Sequence, residues 1–470
     1  MNASSLIAGK AVAGGSFIVI RSPHDGAEAG RVATASRQDV EAAVAAARAF
    51  RDTPNRYERA RILDCTCAAL ESQREDFAHL ITSESGLALR DTRYEVGRTL
   101  EVLRCAAMEA LRDDGQIYST DISPHGKARK IFTTREPLRC AAAITPFNHP
   151  LNQVAHKVAP AIAAGTPLLL KPSERTPLTA FKFAELLYAA GLPGPMLSVL
   201  VGPTIEVAET LVCHPAVELV AFTGSVAVGK KIASVAGYKK LVLELGGNDP
   251  LIVLNDADLD LAVTLAAEGS YRNSGQRCTA VKRILVEESI AADFTSRLVE
   301  KTRDYRCGDP LDENTIVGTV IDEATAVHLE TVLREAIVGG AKVIIGGCRR
   351  GAFVEPTVIV DVPRDCRMVV CESFGPFAPI LKVRDLDDAL EVANSTAYGL
   401  SSGVVTTRLR SAIKAIKTLR CGTVNVNEVP GFRTENSPFG GIKDSGLGVK
   451  EGVVEAVKAF SYIKTFSLPW

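Results

Sequence analysis

The chain has 470 residues, too many for one hydrophobic core, so two or three domains are expected. Hydrophobic residues make up 46% and charged residues 23%, an ordinary balance for a soluble globular enzyme. The formal net charge of −1 excludes global attraction to nucleic acid or to an anionic membrane, so a small anionic ligand would need a local cluster of cations.

The first ten residues are glycine-broken and do not read as a signal peptide. Segment 36–50 (SRQDVEAAVAAARAF) reads as an amphipathic helix with Ser36 as N-cap. The helical pattern continues over 56–85 and 90–111, with Gly86 marking a break. Segment 115–136 alternates Ile, Tyr, Phe and Thr around Ser123-Pro124-His125-Gly126 and predicts a hairpin. From Arg139, the short apolar runs CAAAI, PLLLK, LSVLV, VELVAF and KLVLEL alternate with helical stretches at 152–164, 179–190, 205–213 and 225–236. That rhythm predicts a parallel sheet with covering helices and ligand loops at the carboxyl ends of its strands. The uncharged stretch from Cys140 to His156 is broken by prolines, asparagines and histidines, which excludes a membrane span.

A second α/β series follows. It has strands at 250–254, 283–286, 342–345, 354–360 and 379–383, a helix from Leu259, and helices at 288–304 and 323–338. A glycine-rich segment, PFGGIKDSGLG, leads to a last strand at 459–466, a candidate to pair with a partner subunit. The 11 cysteines are odd in number and irregularly spaced, with no CxxC, which reads as reduced thiols in the cytosol. Cys65-Thr66-Cys67 lacks zinc-knuckle spacing, and no metal is expected. The protein is therefore expected to be cytoplasmic, without membrane or nucleic-acid partners.

Three segments carry candidate chemistry. In Asn273-Ser274-Gly275-Gln276-Arg277-Cys278, polar and flexible residues lead to a cysteine beside a cation, and Arg277 is expected to favour the nucleophilic thiolate. In Leu243-Glu244-Leu245-Gly246-Gly247-Asn248, a carboxylate leaves an apolar strand just before a Gly-Gly turn, where burial raises its proton affinity toward that of a general base. Taken alone, Glu244 reads better as a solvated strand-end charge. In Ile144-Thr145-Pro146-Phe147-Asn148-His149-Pro150, the turn ends the first strand of the parallel series, and Asn148 offers an amide to a developing oxyanion. A plain turn rich in Pro and Asn is an equal reading of that segment.

Together these segments, with KPSE at 171–174, FTGSVAVG at 222–229, ESFGP at 372–376 and PFGGIKDSG at 438–446, resemble the aldehyde dehydrogenase superfamily over essentially the whole chain. The resemblance implies an α/β fold with a Rossmann-type NAD-binding domain (1–114 and 137–245), an α/β catalytic domain (246–435) and a small β oligomerisation arm (115–136 and 436–470). It implies a homodimer or homotetramer. Cys278 matches the nucleophile, Asn148 with the Cys278 N–H matches the oxyanion hole, and Glu244 matches the base that activates water. The presence of Glu244 favours hydrolysis over transfer to coenzyme A. Thr145, Pro146, Phe147, Lys171, Ser173, Glu174, Gly202, Gly224, Ser225, Gly229, Leu245, Glu372 and Phe374 match the dinucleotide site. A carboxylate at Glu174 near the ribose 2′ position would repel a 2′-phosphate, so NAD is preferred over NADP. Phe147 stands where tryptophan is usual, Cys371 where a second glutamate often stands, and Asn248-Asp249 replaces a lysine-containing variant.

Arg277 next to the nucleophile, Arg433 in the loop before PFGGIKDSG, Arg98, His149 and Thr279 form the expected substrate set. Arginines and a histidine converging on one cysteine suit a doubly charged phosphate or phosphonate. The segments FNHPLN, ELGGNDP and GQRCTAVKR most resemble family members that oxidise phosphonoacetaldehyde to phosphonoacetate in phosphonate degradation. Non-phosphorylating oxidation of glyceraldehyde 3-phosphate, or oxidation of dicarboxylate semialdehydes, is the alternative. A rival class, a thiol hydrolase or acyltransferase built on Cys213 and His214, lacks an evident orienting group. A second rival is a non-catalytic relative, against which intact Cys278, Glu244 and Asn148 argue.

Overall fold

The computed structural model describes residues 1–12 and 16–470. The first apolar runs form a parallel sheet in the spatial order Lys240–Glu244, Leu219–Thr223, Ala141–Ile144, Leu168–Lys171, Leu197–Val199. These strands are covered on both faces, which is why they read as unbroken apolar runs rather than alternating ones. Ala141–Ile144 lies between the second and fourth strands of the series, so the strand order reverses there. The crevice at its carboxyl end is the place where open α/β sheets take ligands. Two short N-terminal strands, Leu6–Ile7 and Lys10–Ala11, extend the far edge antiparallel.

The second sheet has the order Lys342–Ile345, Thr357–Val360, Phe377–Val383, Val281–Glu287, Asp249–Val253, Ser401–Val405, Thr423–Val426. All its pairings are parallel except that of Lys342–Ile345. The expected strand over 354–360 is broken at Pro356: Phe353–Val354 pairs with Arg349–Arg350, and only Thr357–Val360 joins the sheet. Proline cannot donate to a ladder.

The hairpin expected over 115–136 forms from Ile117–Ser119 and Arg129–Pro137. The last strand forms close to its expected place, beginning two residues later. Residues 453–459 form the helix Val453–Ala459, because Val453, Ala456 and Val457 recur at helical spacing and are buried. The strand proper is Ser461–Pro469, and it pairs along its length with Arg129–Pro137 of the same chain. The strand lies at the edge of this three-stranded sheet.

Ser36 caps the helix Arg37–Ala49 through a capping box with Asp39. Segment 56–85 is two helices, Arg56–Ser72 and Arg74–Ser85, broken at Gln73, and Gly86 ends the second with a left-handed φ of 73°. Segment 205–213 tightens less than an α-helix at first, with a π turn over Ile205–Glu209 before Thr210–Cys213. Among the described residues no helix is long and apolar enough to cross a membrane.

Two helix starts next to the crevice are capped from outside. Glu95 accepts the Leu151 and Asn152 N–H groups at 2.8 and 2.9 Å. Glu84 accepts the Leu178 N–H at 2.8 Å and the Thr179 N–H at 3.1 Å. Both carboxylates are buried, so each satisfies donors that water cannot reach. Replacing Glu84 by alanine strands both N–H groups and is expected to lower stability by about 3 kcal/mol in urea unfolding. A loss below about 0.5 kcal/mol would show the cap to be dispensable.

Candidate active site

The carboxyl ends of the first sheet meet the amino ends of Asp249–Val253 and Val281–Glu287 across the turns that hold Glu244 and Cys278. The turn before Cys278 is unusual. Asn273, Ser274 and Gly275 have φ of 58°, 53° and 70° in succession. A side chain at position 275 would overlap the Gly375 carbonyl, so glycine is required there. Asn273 and Ser274 are held in this costly region by outside contacts. The Asn273 N–H donates to Asp91 Oδ2 at 2.7 Å, and its amide donates to the Asn148 carbonyl at 2.9 Å. Asn148 Nδ2 in turn donates to the Gln276 carbonyl at 2.8 Å. An amide carries two N–H groups, so one remains for a ligand.

Burial pushes the Cys278 thiol up to about 11. The strongest influence opposing burial is Lys282, with Arg433 acting in the same direction and Asp249 and Glu372 against. The expectation that Arg277 would be the activating cation is therefore corrected. Its guanidinium turns back to the carbonyls of Glu268 and Gly269 at 3.0 and 2.6 Å, because neighbouring side chains in a turn diverge. Lys282 escaped the sequence reading although it lies four residues beyond Cys278 in the quoted GQRCTAVKR. Its Nζ donates to the carbonyls of Arg277 and Cys278 at 2.8 and 2.7 Å.

Glu244 is 4% exposed, and neither carboxylate oxygen has a hydrogen-bond partner. Burial, then the neighbouring Glu451, hold its proton affinity well above the usual carboxylate range. Lys157, Arg433 and Lys450 pull the other way, Lys157 being ion-paired to Glu451. The reading of Glu244 as a solvated strand-end charge is thus corrected. Arg433 acts electrostatically on both Cys278 and Glu244.

Cys278 opens into a cavity of about 210 Å³ that it shares with Arg98, Arg272, Arg277 and Arg433, with His149 and Thr279 on the wall. The arginines are not equivalent. Arg98 makes a two-pronged bond to Glu435 at 2.5 and 3.0 Å, so its charge is offset. His156 holds the same carboxylate at 2.6 Å. Arg433 lies 3.9 Å over the Phe439 ring and forms no ion pair among the described residues. Arg272, absent from the sequence reading, stacks 4.1 Å over Tyr94, with Asp91 at 3.7 Å and Glu268 at 3.8 Å. Its place directly before Asn273 was the available signal. His149 Nδ1 is 3.6 Å from Glu95 Oε2.

Most of the residues expected at the dinucleotide follow the carboxyl ends of the first sheet's strands. Lys171 Nζ donates to Glu174 Oε1 at 2.5 Å, and Ser173 Oγ accepts from the Arg175 N–H at 3.2 Å. Ser225 caps Val226–Val235, just after Gly224. A side chain at Gly229 would overlap Leu245, so this glycine lets the helix pack close to the turn after Glu244. Gly202 sits under the Ala35 carbonyl in the loop after Leu197–Val199. Thr145, Pro146 and Phe147 lead from the central strand, and Phe147 meets Phe374 edge-on at 6.1 Å. Glu372 accepts from Gly247 N–H at 3.2 Å and lies 2.9 Å from Lys282. A capped helix start, the unpartnered buried hydroxyls of Thr145 and Thr223, and a carboxylate–lysine pair fit a dinucleotide's pyrophosphate and ribose groups.

The rival pair does not assemble. His214 Nε2 lies 3.0 Å from Glu41, its Nδ1 accepts from the Ala216 N–H at 3.0 Å, and Cys213 Sγ points to the Val235 carbonyl at 3.8 Å.

The model of the aldehyde dehydrogenase family matches residues 11–466. The 3-sulfolactaldehyde dehydrogenase of Priestia aryabhattai is 40% identical over 431 residues, covering 92% of this chain and 90% of that protein. The sulfoacetaldehyde dehydrogenase of Neptuniibacter caesariensis is 38% identical over 409 residues, covering 87% of this chain and 89% of that protein. Among solved structures, the NADP-dependent glyceraldehyde-3-phosphate dehydrogenase of Bacillus halodurans C-125, complexed with NADP, superposes with a TM-score of 0.96 at 33% identity, covering 100% of this chain and 99% of that one.

Proposed function

From the premise that the chain belongs to the aldehyde dehydrogenase family and is an NAD(P)-dependent aldehyde oxidoreductase, we propose that it oxidises a small anionic aldehyde to its acid, phosphonoacetaldehyde first among the substrates. The observation that carries the anionic charge is Arg433, a guanidinium with no ion pair among the described residues that lines the same cavity as Cys278. Arg277, Arg272, His149 and Thr279 complete the wall.

Cys278 Sγ attacks the carbonyl carbon and forms a thiohemiacetal. The free N–H of the Asn148 amide and the Cys278 N–H, which donates to no backbone carbonyl, stabilise the developing oxyanion. Lys171 and Glu174 would hold the adenosine ribose of the dinucleotide, Ser225 its pyrophosphate and Glu372 the nicotinamide ribose. When bound, the nicotinamide supplies the hydride acceptor that allows a thioester to form on Cys278. Glu244 then takes a proton from water as its oxygen attacks the thioester, releasing the acid and restoring the thiol. NAD is the preferred acceptor in this reading. The Lys171 contact to Glu174 tempers the repulsion of a 2′-phosphate without removing it.

Residues 1–114 and 137–245 form the dinucleotide domain in this proposal, 246–435 the catalytic domain, and 115–136 with 436–470 the arm. Exposed Ile117, Ile463 and Leu468 on the arm suit a homo-oligomer.

The names of the relatives favour a second reading, a sulfonated aldehyde, since sulfonate and phosphonate are both tetrahedral oxyanions. The test is kcat/KM with NAD and NADP in parallel for phosphonoacetaldehyde, sulfoacetaldehyde, glyceraldehyde 3-phosphate, succinate semialdehyde and propanal. Preference for propanal would remove the anion reading, and preference for sulfoacetaldehyde would replace the phosphonate. Arg433→Ala is expected to raise KM about 10- to 100-fold for the anionic aldehydes, with the KM for propanal changed less than about twofold. Arg277→Ala is expected to act in the same direction and mainly on doubly charged substrates. An equal rise in the KM for propanal would assign these arginines to scaffolding.

A further inference from the structure

We propose that Lys282 is a positioning residue: its buried ammonium ties the Cys278 turn to the Glu372 loop and so sets the reactivity of the nucleophile. This rests on the reading of Cys278 as nucleophile. Lys282 is the second residue of Val281–Glu287, three residues after the nucleophile's turn, and its side chain is 2% exposed. An ammonium has three donors. Here each finds an acceptor: the Arg277 carbonyl at 2.8 Å, the Cys278 carbonyl at 2.7 Å and Glu372 Oε1 at 2.9 Å.

Each acceptor belongs to a different part of the machinery. The two carbonyls flank the peptide that delivers Cys278. Glu372 stands two residues before Phe374, which has a left-handed φ of 58° and meets Phe147 edge-on. Glu372 also accepts from Gly247 N–H, in the turn that follows Glu244. One charge therefore links the nucleophile's turn, the loop on the dinucleotide side and the turn after the base.

The charges that face Cys278 come from four elements. Lys282 and Arg433 favour the thiolate, while Asp249 and Glu372 oppose it. Arg277, on the neighbouring residue, also senses the thiol. Of the cations, Lys282 acts most strongly on the sulfur. Lys282 is buried and does not line the cavity that Cys278 opens into.

The test uses the enzyme without substrate or coenzyme, so it is independent of turnover. Iodoacetamide modification of Cys278 is followed against pH, with site-resolved mass spectrometry to separate it from the other thiols. Lys282→Met is expected to slow modification at pH 8 at least tenfold and move its titration upward. Lys282→Arg should restore most of the loss. Glu372→Gln removes an opposing charge and should speed modification at pH 8 about threefold or more. It carries the test if Lys282→Met does not fold by circular dichroism. Identical pH profiles in wild type and Lys282→Met, or in wild type and Glu372→Gln when that variant carries the test, would overturn the proposal. So would weaker NAD binding in calorimetry with an unmoved thiol titration, since lysine would then hold only the loop. A Cys278 that resists alkylation in every variant would instead count against its reading as nucleophile.

Discussion

Cys278→Ser is expected to lower NAD-dependent aldehyde oxidation more than about 10⁴-fold while leaving NAD binding within about twofold. The reason is the difference between a polarisable sulfur and a hydroxyl in the same place. The thiol is buried and its proton affinity is raised to about 11, yet Lys282 and Arg433 favour its anion. A serine hydroxyl starts from a far weaker acidity, so the same cations leave it almost wholly protonated. No other cysteine lines the cavity, and none of the remaining thiols can substitute. The dinucleotide contacts assigned to Lys171, Glu174 and Ser225 belong to the first sheet and its helices, which the substitution does not touch. Stopped-flow absorbance of NADH gives the rate, and calorimetry gives the binding. Turnover within tenfold of wild type would sink the covalent mechanism.

Local features were legible in the sequence and long-range ones were not. The helices Asn152–Ala164 and Glu323–Val338 and the strand Lys342–Ile345 have the bounds that their apolar spacing predicts. In each, caps or glycines stand at the ends. The N-terminal sheet of Asn2–Ser4, Phe17–Arg21 and Glu28–Ala33 gave no such signal, since its strands are short and mix exposed with buried positions. Ser401–Val405 and Thr423–Val426 were also missed; serine, glycine and asparagine dilute their apolar pattern. The same division holds at the site. Cys278, Glu244 and Asn148 sit in short motifs that point to a site only when taken together, since Glu244 alone reads as a strand-end charge and the Asn148 segment equally as a plain turn. The offset of Arg98 by Glu435 joins residues 337 positions apart, and no spacing rule reaches that far. The role of Lys282 depends on a loop that arrives from residue 372, so sequence adjacency pointed to Arg277 instead.

Glu244→Gln is expected to separate the two halves of the reaction. Hydride loss from the Cys278 adduct does not need this carboxylate, so the variant should release a rapid burst of one NADH per active Cys278. Thioester hydrolysis does need it, and steady turnover should fall about 10²- to 10⁴-fold. The pH profile gives an independent check. Burial, with Glu451 adding to it, holds the Glu244 proton affinity well above 4.5. Only the ionised carboxylate takes a proton from water, so wild-type hydrolysis rises as pH rises through that elevated value and levels above it. Glutamine does not titrate, so this limb should vanish in the variant while the burst remains. An absent burst would place Glu244 before hydride loss. A full burst with an unchanged steady rate and pH limb would hand the base role to another group, with Glu451 and its Lys157 partner the charged pair that acts most strongly on Glu244.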